Sequence, residues 1–204
     1  MASNDPKLGQ EIHQHLVECG IETPMSTGTS DRPFAEQMVR ERSQMETHVA
    51  GILSGLNLDL NDDSIRETPH RVAKMYRDEV FWGMDYREFP RIMTIDNKMN
   101  YDELIIEKDV EIQSCCEHHL QPFIGHAHIA YLPGNKVVGL SKLNRVAEFF
   151  SRRPQVQERL TLQIARTLQY VLGTDTVAVI LTAEHFCVKL RGVRDCGSST
   201  ATSY

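Results

Sequence analysis

The feature that most constrains this chain is a change of period near residue 98. Before it, apolar residues recur at helical spacing: Leu8, Ile12 and Leu16, then Met38, Met45, Val49, Ile52 and Leu56, then Val72, Met75, Tyr76 and Val80. After it they alternate. Leu104, Ile106, Val110 and Ile112 interleave with Glu103, Glu107, Glu111 and Gln113, as in a strand buried on one face. Residues 123–133 read as a second strand, ended by the turn Pro133-Gly134-Asn135. Ser141 is expected to cap a helix carrying Leu143, Val146, Ala147 and Phe150. Pro154 is expected to open another, with Val156, Leu160, Ile164, Leu168 and Val171 on one face and Gly173 at its end. The β-branched run 176–181 suits a fully buried strand, and 185–193 alternates again. The order strand, strand, helix, helix, strand, strand predicts an α+β unit, an antiparallel sheet with two helices on one face. The division expected is an N-terminal helical region over 1–97 and the sheet-bearing domain over 98–204.

In the helical region, Asp5-Pro6 reads as an N-cap followed by proline at the first helical position, and Gly20 as the stop. Residues 23–33 read as a loop, and Thr68-Pro69 as the start of the third helix. Arg71 and Lys74 lie three apart on that helix, which by itself is the pattern of a solvated basic face.

Composition excludes several classes. The net charge of −6 argues against non-specific nucleic-acid binding. No stretch approaches the roughly 20 apolar residues of a membrane span, and the first residues lack the basic-then-apolar pattern of a signal peptide. A cytoplasmic location is expected, where thiols stay reduced. The 5 cysteines, Cys19, Cys115, Cys116, Cys187 and Cys196, are odd in number and include an adjacent pair, a poor disulfide framework.

Two of these thiols point to a metal. Cys116-x-x-His119 can bring a thiolate and an imidazole to one ion. Cys187 is the natural third ligand. On a regular strand it would share a face with His185, Lys189 and Arg191, a set suited to a polar cleft holding a metal and an anion. Two cysteines and one histidine leave a tetrahedral zinc one position open, the mark of a catalytic site. Cys115 is the rival ligand, but adjacent residues rarely bind one zinc together, and it reads as a small buried apolar residue. His118 is a general acid or base beside the metal, or a satisfied structural histidine. His126 and His128, two apart on the second strand, read as structural. Ser141, Lys142 and Arg145 gather at a helix start, where backbone N–H groups favour anions, and form a plausible polyphosphate cradle. Gln157 and Glu158 lie in the first turns of the next helix, where the Glu158 carboxylate can accept the paired N–H groups of a guanine edge.

CEHH (116–119), GLSKLNR (139–145), RPQVQERLT (153–161), HFCVKLRGVRD (185–195) and ETPHRVAKMY (67–76) together resemble the GTP cyclohydrolase I family. The resemblance implies the tunnel fold, in which subunit sheets join into a barrel, and assembly as two pentamers face to face. It implies zinc on Cys116, His119 and Cys187, with His118 and His185 as proton-transfer groups and Ser141 as a further candidate. It places Gln157 and Glu158 at ribose and guanine. Lys142, Arg145 and Arg191, with Ser141, then hold the triphosphate, and Arg71 and Lys74 reach in from another subunit. The implied reaction converts GTP and water to 7,8-dihydroneopterin triphosphate and formate, the first step of folate and pterin biosynthesis. Alternatives are another tunnel-fold enzyme acting on pterins or deazapurines, and a non-catalytic zinc- and nucleotide-binding assembly protein.

Overall fold

The computed structural model of the chain describes residues 4–25 and 34–204. The loop expected over 23–33 lies, from residue 26 onward, outside the described residues, as does the side chain of Met38. By their packing the residues form two compact units, Met1–Thr23 with Trp82–Tyr204, and Pro24–Phe81.

The first unit is built on a five-stranded sheet in the order β5-β2-β3-β6-β7. Its strands are β2 (Ile105–Cys116), β3 (Pro122–Tyr131), β5 (Pro154–Gln155), β6 (Val177–His185) and β7 (Thr200–Ser203). A separate antiparallel pair joins β1 (Thr94–Asp96) to β4 (Lys136–Val138). Helices α4 (Leu140–Ser151) and α5 (Gln157–Leu172) cover one face of the large sheet. There Val110, Ile112, Phe123, Ala127, Ile129, Val179 and Leu181 meet Leu143, Val146, Phe150, Leu160, Ile164 and Leu168. On the opposite face Ile124 and Ile180 stay about half exposed. The sheet is antiparallel except that β5 runs parallel to β2.

Helix α1 (Pro6–Glu18) belongs to this unit although it precedes it in sequence. Asp5 caps it by accepting from the Leu8 N–H at 3.0 Å, and Gly20, at φ 69°, follows its end. A helix this short is marginal alone. Ile12 and Leu16 are completely buried, and at about 1.5–3 kcal/mol each their burial, more than helix propensity, holds it in place. The segment after α1 is fixed by Arg153, fully buried between α4 and α5. Its guanidinium bonds Glu22 at 3.0 Å and the Gly83 carbonyl, and lies 4.9 Å over the rings of Phe149 and Phe150.

The second unit pairs α2 (Phe34–Gly55) with α3 (Thr68–Lys74) and the π-helical turn Met75–Val80 that continues it. Arg42–Asp78 at 2.6 Å and Arg77–Glu41 at 3.0 Å tie them together. The buried stripe expected here is not formed: only Ala73 of α3 is buried, and Met75, Ile52 and Leu56 are exposed. The widened turn from Met75 rotates the later apolar positions off the α-helical row.

Four further expectations are corrected. Leu104 and Ile106 are exposed, because an irregularity between Glu107 and Val110, with Asp109 at φ 57°, shifts the inward set by one residue. Ser141 does not cap α4. Gly139 occupies that position, and Ser141 lies in the first turn. Pro154 opens the short strand β5, and α5 starts three residues later with Val156 at its cap. Finally, 185–193 is not a strand. β6 ends at His185, and Phe186–Lys189 forms the one-turn helix α6. The edge strand after β6 is β7, whose Thr200–Ser203 pairs with Ile180–Ala183.

Candidate metal centre and active site

Sheet register explains why residues seventy positions apart meet. Phe123 of β3 sits opposite Ser114 of β2 on one side and His185 of β6 on the other. The end of β2 and the end of β6 therefore share one end of the sheet. Beyond β2, the Leu120 N–H returns to the Cys116 carbonyl at 2.8 Å with Leu120 at φ 51°, folding His119 back beside Cys116. Beyond β6, α6 begins at once and carries Cys187 on its single turn. The sequence expected this cysteine on a strand; the helical turn delivers it to the same place.

Ligand atoms of Cys116, His119 and Cys187 all lie within 4.8 Å of one another, a group that could hold a metal ion. Cys116 is buried, Cys187 half-buried and His119 exposed, so the group opens to solvent on the histidine side. Arg191 Nη1 lies 2.6 Å from His119 Nε2. A guanidinium only donates, so that ring nitrogen carries a lone pair. Burial, and then contact with Cys116, pushes the Cys187 thiol above its ordinary value. Cys115 is buried and outside the group. Burial, with the neighbouring thiols adding, pushes it up to about 11, as suits an inert thiol.

Around this group stand the other expected residues. His118 is mostly exposed, with Nδ1 3.7 Å from Cys116 Sγ. His185 stacks on Phe123, ring centroids 4.8 Å apart, and gives its Nε2 to Gln157 Oε1 at 2.8 Å. Burial lowers its pKa, while the carboxylate of Glu158 pulls the other way. Glu158 is exposed at the start of α5, and Gln157 beside it is buried. Arg191 thus joins the metal group directly. Ser141, Lys142 and Arg145 lie together in the first turns of α4, and among the described residues their side chains form no hydrogen bond or ion pair with that group. Arg71 and Lys74 are exposed on α3, in the second unit. His126 and His128 are exposed on the open sheet face, where the Asp109 N–H reaches His128 Nδ1 at 3.3 Å.

Two residues had no reading from sequence. Glu117, inside the Cys-x-x-His turn, takes a forked pair of bonds from Arg159 of α5, at 2.6 and 3.1 Å. Those bonds hold its carboxyl below the usual range. The pair ties the turn bearing Cys116 and His119 to the helix start bearing Gln157 and Glu158. The signal was present in principle, since Glu117 and Arg159 both lie inside the quoted motifs, but nothing in their spacing says that they meet.

The sequence model of the GTP cyclohydrolase I family matches residues 45–204. The chain is 50% identical over 192 residues to the GTP cyclohydrolase 1 of Serratia proteamaculans (strain 568), covering 94% of this chain and 84% of that protein. It is 49% identical over 203 residues to the GTP cyclohydrolase 1 of Salmonella arizonae and to that of Salmonella newport, covering 97% of this chain and 89% of each.

Proposed function

The chain belongs to the GTP cyclohydrolase I family, and on that footing we propose that it converts GTP and water to 7,8-dihydroneopterin triphosphate and formate at the Cys116–His119–Cys187 centre. The observation that carries the reading is the convergence of these three ligands beside His185 and the start of α5. Zinc fits the donors: it takes thiolate sulfur at about 2.3 Å and imidazole nitrogen at about 2.0–2.1 Å, and two thiols with one imidazole supply that set. When bound it supplies a Lewis acid that makes water nucleophilic near neutral pH.

The rest falls to the chain. Glu158, exposed at the helix start, accepts the paired N–H groups of the guanine edge and sets the base in register. His118 and His185 move protons: one protonates N7, which makes C8 electrophilic, and both serve the ring opening that releases C8 as formate. The ribose then opens, rearranges and closes on the freed amine, with Ser141 a further proton-transfer candidate. Arg191, Lys142 and Arg145, with Arg71 and Lys74 from a neighbouring subunit, neutralise the triphosphate. Gln157, expected at the ribose, also bonds within the protein through both ends of its amide.

In this reading 98–204 is the catalytic domain, assembled in a tunnel-fold decamer, and 1–97 lends it the second set of cations. Incubation with GTP should release formate and, after oxidation, a fluorescent pterin. Neither product from metal-replete protein would overturn the reading. A pterin or deazapurine substrate turned over in place of GTP would move the chain to another reaction.

A further inference from the structure

Gln157 is fully buried, and every polar atom of its side chain is used. Its Nε2 lies 3.0 Å from the Leu181 carbonyl, 3.0 Å from the Thr200 carbonyl and 3.1 Å from Thr202 Oγ1. Carbonyl oxygens only accept, so this end of the amide is the NH2 group and cannot be the oxygen. The other end, Oε1, faces His185 Nε2 at 2.8 Å. An amide oxygen only accepts, so His185 Nε2 carries the proton.

The hydroxyls behind Gln157 agree with a single direction of donation. Thr161 donates to the Gln157 backbone carbonyl at 3.0 Å. Its one proton is then spent, so in the 2.7 Å contact between Thr161 and Thr202 the donor is Thr202. The Thr202 oxygen is left to accept from Gln157. The two amide protons are shared among three acceptors, and reversing the amide would set its oxygen against two carbonyls at once.

We propose that Gln157, backed by Thr161 and Thr202, is a positioning residue that holds neutral His185 as its Nε2–H tautomer and leaves the Nδ1 lone pair as the atom that exchanges protons with the substrate. Phe123, stacked within 15° of parallel on the ring, fixes its plane, and Gln157 fixes its rotation within that plane. The edge strand β7 thereby acts on the chemistry from behind, since it supplies both the Thr200 carbonyl and Thr202. The role of His185 rests on the function proposed above; the tautomer does not.

The test uses metal-replete full-length protein labelled with 15N-histidine, with the His185 signals identified by their loss in His185→Asn. In the wild type at a pH where His185 is neutral, Nε2 should carry the proton. In Gln157→Met that preference should weaken. Bound zinc should stay unchanged, and kcat for formate release should fall about 10–100-fold, as for other residues that orient a functional histidine, with little change in KM for GTP. Thr202→Val should move both readouts the same way by less, and keeps the test open if Gln157→Met does not fold. A proton on Nδ1 in the wild type would overturn the proposal even in an active enzyme. So would a Gln157→Met variant whose KM rises while kcat holds, the signature of a lost ribose contact. An Nε2–H signal in a protein that releases no formate would instead leave the tautomer standing and remove the functional reading.

Discussion

His118 and His185 are both histidines of the proposed site, yet their surroundings differ. His185 is held by a ring stack and an amide, whereas His118 is mostly exposed, with long contacts to Cys116, Glu117 and the His119 ring. A solvent-exposed imidazole beside the proposed metal suits proton transfer. His118→Ala should therefore keep its zinc and lose about 10²–10⁴-fold in formate release. Zinc loss as complete as in a Cys187 variant would make it a ligand. A second residue, Tyr86, gives a pH dependence. Burial, with the Glu22 carboxylate it bonds, raises its phenol above the ordinary 10.0, against the pull of Arg153. The folded state thus resists deprotonation where the unfolded chain does not. Its contribution is complete below about pH 10 and is lost as pH rises toward the folded value. Each pH unit in that window should cost the wild type about 1.4 kcal/mol more than Tyr86→Phe. Denaturant midpoints between pH 9 and 11 decide this, and parallel pH profiles would refute it.

At the level of elements, the three residues that could hold a metal were legible and one of their supports was not. Cys116-x-x-His119 is local, and the turn that folds it needs only the Leu120 N–H and the Cys116 carbonyl. Cys187 does lie beside that pair, but the strand expected to bring it there is not formed, because alternation over 185–193 fits a strand as well as it fits the turn actually formed. Strand β7 could not be read at all. Thr200–Ser203 has no apolar alternation, and it is a strand because the edge of β6 offers it hydrogen bonds. The β2 face was misplaced before residue 108 because one extra residue shifts every inward position, and no periodicity announces it. The pairing of β3 with β6 that unites the site depends on Gly125. A Cβ there would stand 1.9 Å from the Thr182 carbonyl oxygen and 2.6 Å from the Ala183 Cα, both backbone. Gly125→Ala should destabilise the protein by about 1–3 kcal/mol and loosen the Phe123–His185 pair two residues along. An unchanged denaturant midpoint would show that the strands part without cost.

For the molecule as a whole, the function proposed above brings Arg71 and Lys74 to the site of a neighbouring copy. Arg71→Ala alone should raise KM for GTP and lower the rate, while Cys187→Ala alone should be inactive. Purified as mixed oligomers, the two should recover activity, because some sites then combine an intact Arg71 from one chain with an intact centre from another. Mixed oligomers no more active than the Arg71→Ala parent per intact metal centre would confine each site to one chain. The central claim, that Cys116, His119 and Cys187 hold the zinc on which GTP turnover depends, is tested most directly by measuring formate released from GTP against zinc bound per chain. Formate release should rise in proportion to zinc and level off at one ion per chain, with Cys187→Ser low in zinc and without activity. Full turnover by metal-stripped protein, or full zinc occupancy in Cys187→Ser, would contradict it.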